Sequence, residues 1–416
     1  MNAAHLLPQT TGKCLGCGNK LPDAFLDLGE MPLANSYIKS IAQKTKETKY
    51  KLAVAYCPAC HLVQITHRVA PEILFANYLY FSSVSTAYLK HAEDMAIEMT
   101  QRFSLGQNSL VLEIGSNDGY LLRFFQDKGI PVLGIEPAEN ITNVANEKGI
   151  PTMAVFFGTR SVANILREKG QADIIIGNNV LAHIPSINDY LLSVKKCLRP
   201  NGVAVFEFPY LKDLLEKTEF DTIYHEHVFY YSLTAINILA QRAGLHLFDV
   251  NRQDVHGGSL RIFLQKENQH SVSNNVKEML VEEENFGITD RIIYDNFAEK
   301  VGKLKKKLVQ LLTELKKAGK TIAAYGAAAK GNTLLNYLGI DNGVIDFVVD
   351  RSEYKQGLLL PGTMIPILHQ DELLRRNPDY TLILAWNFYE EIIKQQAEYH
   401  RGGGRFIIPL PEPKIV

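Results

Sequence analysis

No apolar run in the 416-residue chain approaches the length of a membrane span. Met1–Thr10 lacks the basic end and apolar core of a secretion signal. A soluble, cytoplasmic protein with no membrane partner is therefore expected. Neither sign of charge is in excess: 44 Lys and Arg face 45 Asp and Glu, for a net charge of -1. Binding nucleic acid rests on neutralising phosphates, so nucleic acid is not expected as the main partner. Cysteine is sparse, five in all. Four of the five fall in two tight pairs, which excludes a disulfide framework and points to a metal site in a reducing compartment. The dinucleotide fingerprint G-x-G-x-x-G, a phosphate loop ending in Gly-Lys-Ser/Thr and the i, i+4 histidine pair of a zinc protease are all missing. The length accommodates two or three domains.

What is present is organised around Leu110-Val111-Leu112-Glu113-Ile114-Gly115-Ser116-Asn117-Asp118-Gly119-Tyr120. The apolar residues around Glu113 read as a buried parallel strand, Gly115 and Gly119 as a turn, and Tyr120–Lys128 as a helix. That sequence of elements opens a doubly wound α/β domain, whose ligand lies at the carboxyl ends of the strands. Further strands are expected at Pro131–Ile135, Pro151–Val155, Asp173–Gly177 and Gly202–Phe208, with the spacing of a parallel sheet. Glu136 ends the first of these strands, about twenty positions after the glycines, where a carboxylate can accept both ribose hydroxyls. Phe156 could flank an adenine ring or be plain core, and Asn178 follows the fourth strand.

Cys14-Leu15-Gly16-Cys17 and Cys57-Pro58-Ala59-Cys60 are two C-x-x-C knuckles. Together they supply the four thiolates of a closed, tetrahedral structural zinc site, expected to hold a loop-rich module together. The densest chemistry is Phe220-Asp221-Thr222-Ile223-Tyr224-His225-Glu226-His227, running on to Tyr230-Tyr231. Histidine is the natural general base near neutral pH, a carboxylate can orient it, and a tyrosine hydroxyl can donate to a developing oxyanion. A capped turn with locally satisfied side chains is the plain alternative. His256-Gly257-Gly258-Ser259-Leu260-Arg261 reads either as an anion-binding turn or as a tight turn between strands. In the last third, Thr321–Tyr325, the turn Gly326–Asn332 and the helix Thr333–Leu338 repeat the strand–glycine–helix theme. Small residues with one lysine at a helix start suit a diphosphate. The next strand ends at Asp350, and a later one leads to Trp386-Asn387.

The E-I-G-S-N-D-G loop is similar to motif I of S-adenosylmethionine-dependent methyltransferases. Taken with the two knuckles, Y-H-E-H, H-G-G-S-L-R, Y-G-A-A-A-K-G-N and W-N-F in this order, the chain resembles the C-methyltransferases that act on nucleotide-activated deoxysugars. The resemblance runs over nearly the whole chain. It implies an α/β fold: a Rossmann-like class I S-adenosylmethionine methyltransferase core, an N-terminal four-cysteine zinc module and a C-terminal α/β nucleotide-binding domain. The expected divisions are 1–75, 76–250 and 251–416. Cys14, Cys17, Cys57 and Cys60 would hold Zn2+. Glu113, Gly115, Asn117, Asp118, Gly119, Glu136, Phe156 and Asn178 would line S-adenosyl-L-methionine. His227 would be the base, with Tyr224, Glu226, His225, His183 and Tyr80 around it. His256, Arg261, Lys330, Asn332, Asp350 and Asn387 would meet the substrate, an NDP-4-keto-deoxysugar linked to thymidine diphosphate and methylated at C3 through an enolate. Oligomeric state is not legible, and a monomer is compatible. Two other readings stay open: a zinc-finger-bearing RNA methyltransferase, and a non-catalytic scaffold that binds S-adenosylmethionine. An Asn/Asp-Pro-Pro-Tyr/Phe motif after the fourth strand would favour the first, and Asn178-Asn179-Val180-Leu181 stands there instead.

Overall fold

The computed structural model describes residues 9–40, 47–74, 82–84, 86–255 and 257–416. The N-terminal module is built from short antiparallel strands. β1 (Gln9–Thr10) pairs with β5 (His67–Arg68), while β2 (Leu26–Met31), β3 (Tyr50–Tyr56) and β4 (Val63–Ile65) form a meander. The apolar residues of β3 and β4 are buried and join the main core of the chain, and the four-cysteine cluster adds a crosslink within the module.

The central sheet comprises β6 (Val111–Ile114), β7 (Val132–Ile135), β8 (Thr152–Met153), β9 (Ala172–Asn178) and β10 (Leu198–Pro209). After β10 the chain makes β11 (Phe229–Tyr230), which leaves this sheet and joins the N-terminal meander beside β4, pairing Phe229 with Gln64 and Tyr230 with Val63. It then returns as the hairpin β12 (His246–Gln253) and β13 (Ser259–Gln265). The seven-stranded order is β12-β13-β10-β9-β6-β7-β8; the five strands β6 to β10 are parallel, and the hairpin closes one edge antiparallel. Helices on both faces turn β6, β7 and most of β9 and β10 into continuous buried runs, as expected of parallel strands covered on both sides. The chain winds outward from β6 to β8 and then restarts on the other side of β6 at β9. The switch point therefore lies between β6 and β9, and a crevice opens at their carboxyl ends. The hairpin straddles the expected division at residue 250, because β13 is a full member of the central sheet.

The helices Asn274–Phe286 and Arg291–Lys317 lead to a second sheet, made of β14 (Ile322–Tyr325), β15 (Val348–Asp350), β16 (Ile367–His369), β17 (Tyr380–Ile383), β18 (Arg405–Ile408) and β19 (Lys414–Ile415). Its order is β16-β15-β14-β17-β18-β19, parallel except for the last strand. Again the winding reverses, between β14 and β17; the segment after β14 is Gly326–Ala328, and that after β17 is Leu384–Ala385, running into a 3-10 turn at Trp386–Phe388. The helix after β14 begins at Ala329, earlier than the sequence suggests. Gly326, at φ +92, makes the turn alone, and alanine and lysine then enter the helix readily, so Lys330, Gly331 and Asn332 form its first turn.

Candidate active site

The crevice at β6 is defined by backbone that only certain residues tolerate. Gly115 sits at φ +67, and a Cβ there would lie 2.2 Å from Val180 Cγ1; Gly119 sits at φ +79, where a Cβ would come 2.8 Å from Ile150. Both positions are left-handed and crowded, so glycine is required on two counts. Asn117, also left-handed, accepts the Ser82 N–H through Oδ1 at 2.9 Å. Asp118 receives Lys148 Nζ at 2.8 Å and the Ser83 hydroxyl. Glu136, at the end of β7, accepts the amides of Asn117 (3.2 Å) and Ala138 (3.0 Å), which ties the second strand end to the glycine loop. Asn178, at the end of β9, donates to the Tyr120 hydroxyl at 3.4 Å.

Glu113 is wholly buried, and neither of its carboxylate oxygens has a hydrogen-bond partner among the described residues. Burial holds its carboxyl well above the usual range; the Tyr120 hydroxyl opposes that rise, and the charges of Glu136 and Asp118 add to it. Ser116 Oγ, Asp118 Oδ1, Asn178 Oδ1 and Asn179 Oδ1 are likewise buried and unsatisfied among the described residues. A crevice lined with unsatisfied acceptors suits a cationic, donor-rich ligand, and an amino acid ammonium is one. Phe156 is half exposed on this side, whereas Phe157 packs edge-on against Tyr190.

The four cysteine sulfurs all lie within 4.8 Å of one another. Cys14 and Cys60 approach to 3.5 Å, and Cys17 and Cys57 to 3.6 Å. A tetrahedron with sulfur at ~2.3 Å from the metal has edges of about 3.8 Å, so the cluster fits zinc. Asn188 caps the first knuckle from the central domain, donating to the carbonyls of Leu15 and Gly16.

The Y-H-E-H loop follows a 3-10 turn at Phe220–Thr222. His227 Nδ1 donates to the Thr222 carbonyl at 3.0 Å, since a carbonyl can only accept. That bond fixes the tautomer and leaves the Nε2 lone pair exposed to Tyr224, whose hydroxyl stands 2.8 Å away and donates to it. The Tyr224 ring lies 4.0 Å from the imidazole and that of His183 meets it edge-on at 4.9 Å, while the Tyr230 hydroxyl bonds the His227 carbonyl. Burial lowers His183 and His225 to about 4, so both are neutral at ordinary pH. The His225 imidazole bonds the Tyr50 carbonyl in the zinc module at 3.2 Å. Glu226 is buried and its carboxyl is pushed up to about 7 by desolvation; Asn35 of the zinc module opposes that rise by donating to Oε1 at 2.6 Å. Tyr80 and His256 lie outside the described residues.

Behind this loop the C-terminal unit closes in. Trp386 Nε1 donates to Asp221 Oδ2 at 2.7 Å, and Lys330 Nζ lies 4.8 Å from the centre of the Trp386 ring. Burial raises Glu219 to about 7 and Asp221 to about 6, each moderated by the charge of Lys330. Asn332 is buried, its amide donating to the Ala34 carbonyl at 2.5 Å. Asp350 accepts the Ala327 N–H at 2.6 Å and that of Ser352 at 2.8 Å, the same device by which Glu136 holds the first glycine loop. Asn387 is half buried beside Trp386. Arg261 does not serve as an anion ligand. The β10–β13 register sets it opposite Glu207, and its guanidinium is 3 % exposed, bonding Glu207 at 3.0 Å and Glu98 at 2.7 Å. His91 joins the same network through Glu207 at 2.8 Å. The Gly257-Gly258 pair makes the hairpin turn of β12 and β13. Sequence reasoning passed over Glu219, Asn35 and the indole of Trp386. The chain's single tryptophan, within W-N-F, was the one available signal; nothing marked Asn35.

The strand order, the glycine loop at the switch point and the acidic residue at the end of β7 define a class I S-adenosylmethionine-dependent methyltransferase fold. Family models match in three successive segments: a zinc binding domain over residues 14–75, a methyltransferase domain over 88–250 and a C-methyltransferase C-terminal domain over 254–411. The chain belongs to the C-methyltransferase family, for it is 36% identical over 408 residues, 97% of its own length and 96% of the relative's, to the C-methyltransferase NovU of Streptomyces niveus. It is thus an S-adenosylmethionine-dependent methyltransferase with a zinc module. A second relative, the uncharacterized methyltransferase ML2584 of Mycobacterium leprae, is 26% identical over 102 residues, covering 24% of this chain and 36% of that protein. Among solved structures, the CcbJ methyltransferase of Streptomyces caelestis aligns over 46% of this chain and 94% of its own, at 13% identity and a TM-score of 0.34. A likeness at that score carries no functional weight. No helix among the described residues is long and apolar enough to cross a membrane.

Proposed function

We propose that the enzyme methylates C3 of a 4-keto-deoxysugar carried on a nucleoside diphosphate, thymidine diphosphate in the first instance, in the cytoplasm. The observation that carries this reading is the imidazole of His227: its Nδ1 proton is committed to a backbone carbonyl, and its Nε2 faces a tyrosine hydroxyl. A saturated carbon beside a ketone is a nucleophile only after it loses a proton, and a neutral, oriented imidazole is suited to remove it. His227 Nε2 takes the C3 proton. The Tyr224 hydroxyl, released from the imidazole, donates to the oxygen on which charge develops. Burial raises the Glu226 carboxyl to about 7, so its protonation, and with it the hydrogen bond it offers a neighbouring sugar substituent, changes across the neutral range.

Glu113, Asn117, Asp118, Glu136 and Asn178 would hold S-adenosylmethionine, which supplies a methyl group on a sulfonium that a carbanion can capture. Gly115 and Gly119 would let the backbone approach it, and Phe156 would be the aromatic side chain available to the adenine. The first turn of the helix at Ala329, with Lys330, would face the diphosphate. Asp350 supports the surrounding loops, because both its carboxylate oxygens already bond Ala327 and Ser352; Asn332 gives its Nδ2 to the Ala34 carbonyl, while its buried Oδ1 has no partner among the described residues. The domains divide as the zinc module, the methyltransferase sheet through β13, and the C-terminal unit. The zinc serves folding and stands outside the chemistry. The test is incubation with methyl-labelled S-adenosylmethionine and a panel of thymidine diphosphate 4-keto sugars, with the methyl located by NMR. A methyl group on C3 supports the reading, and a methyl group on oxygen or on no sugar at all defeats it.

A further inference from the structure

The zinc module reaches the reaction centre itself. Its loop Ala34–Ile38 is wedged between the Y-H-E-H loop and the C-terminal unit. On one side Asn35 Nδ2 donates to Glu226 Oε1 at 2.6 Å, across 191 residues of sequence. On the other, the Ala34 carbonyl accepts Asn332 Nδ2 at 2.5 Å, and the Tyr37 hydroxyl donates to the Ala327 carbonyl at 2.6 Å. Ile38 completes the seam by a two-way backbone bridge to Leu359, at 3.0 and 2.8 Å. Lys355 Nζ, on the same C-terminal side, also meets the Ala327 carbonyl at 2.8 Å. A second tie runs through β11, which continues the catalytic loop as an edge strand of the zinc module's sheet.

We propose that Asn35 is a positioning residue for the reaction: it orients the Glu226 carboxyl beside His227, so that the zinc module supplies part of the active site. The inference rests on the reading of Y-H-E-H as the catalytic loop. A buried carboxyl with one oriented donor has a defined rotamer and a defined face toward its neighbours. Without the donor it is free to turn, and an unpaired buried acceptor is costly. Glu226 is also next to the base in chain order, and the ring of His183 meets that of His227 edge-on at 4.9 Å. The Asn35 loop therefore touches the Glu226 side chain directly, one residue from His227, while being held from behind by the unit that carries Lys330 and Asn332. Desolvation and the Asn35 amide are what set the Glu226 carboxyl, so removing the amide moves its protonation to higher pH.

The experiment compares full-length wild type with Asn35→Ala and Asn35→Asp, using thymidine diphosphate 4-keto sugars and labelled S-adenosylmethionine. Zinc content, thermal midpoint and S-adenosylmethionine affinity serve as controls. The expected result is stoichiometric zinc and unchanged cofactor affinity in all three, with kcat about tenfold lower in Asn35→Ala. The limb of the kcat profile governed by Glu226 moves to higher pH in Asn35→Ala. It moves further in Asn35→Asp, where two carboxyls share one site and cannot both ionise. If wild type transfers methyl to sugar carbon and both variants keep its rate and pH profile, the inference falls while the proposed function stands. If wild type itself forms no carbon–methyl bond with any sugar of the panel, the proposed function falls and takes the inference with it.

Discussion

At the scale of single residues, function and stability separate cleanly. His227→Asn keeps an amide able to bond the Thr222 carbonyl but offers no base. It should abolish product formation while leaving S-adenosylmethionine affinity unchanged by isothermal titration; retained turnover would move the base elsewhere. Gly115→Ala combines a left-handed backbone with a Cβ 2.2 Å from Val180 Cγ1, so it should weaken cofactor affinity, by more than tenfold in the same titration, through displacement of the loop. Glu219 has the opposite signature. Its folded pKa lies above its unfolded value, so the folded state holds the proton more tightly, and stability falls as pH rises from the ordinary 4.5 to about 7. In the ligand-free enzyme, Glu219→Gln should therefore gain thermal midpoint relative to wild type across that window, as differential scanning calorimetry at several pH values would read. The hydrogen-bonded His227 and the left-handed glycines fall in short, contiguous motifs, which is why the sequence singles them out. Arg261 misled, because the carboxylates that neutralise it come from a neighbouring strand and a distant helix, and only the antiparallel register brings Glu207 opposite it.

At the scale of elements, the 3-10 turn Phe220–Thr222 is the joint between chemistry and scaffold. Its last carbonyl holds the His227 imidazole, and its Asp221 is held by Trp386. Trp386→Phe keeps the ring but leaves a buried acceptor unbonded, which should cost about 1–3 kcal/mol in chemical denaturation. It should also lower turnover by loosening Thr222. The strands were readable from apolar runs and spacing, and most of their ends lie within a few residues of expectation. The helix after β14 starts four residues early, since a single glycine can complete a turn that composition alone spreads over the whole Gly-Ala-Ala-Ala stretch. The excursion of β11 into the zinc module's sheet had no signal at all, because a two-residue strand carries no periodicity. Its consequence is measurable: chelating the zinc should release amide protection at Phe229 and Tyr230 together with that of Val63–Ile65 in hydrogen exchange. Replacing zinc by cobalt should leave both protection and turnover nearly unchanged, as a structural metal allows.

At the scale of the whole molecule, two doubly wound sheets flank the Y-H-E-H loop, and each presents the switch point where such sheets bind ligands. One switch point carries a crevice of unsatisfied acceptors suited to a cationic cofactor, the other a helix start with a lysine suited to an anion. The zinc module packs against both. That three-part plan was legible from the order of motifs along the chain. The seams were not, since contacts such as Asn35 with Glu226 or Trp386 with Asp221 join residues far apart in sequence and leave no pattern in it. The most direct measurement is proton exchange at carbon. Incubated in deuterium oxide with S-adenosylhomocysteine and a thymidine diphosphate 4-keto-deoxysugar, the enzyme should wash deuterium into C3, and His227→Asn should not. A substrate methylated by the wild-type enzyme whose C3 proton never exchanges, and whose new methyl group sits on oxygen, would contradict the account.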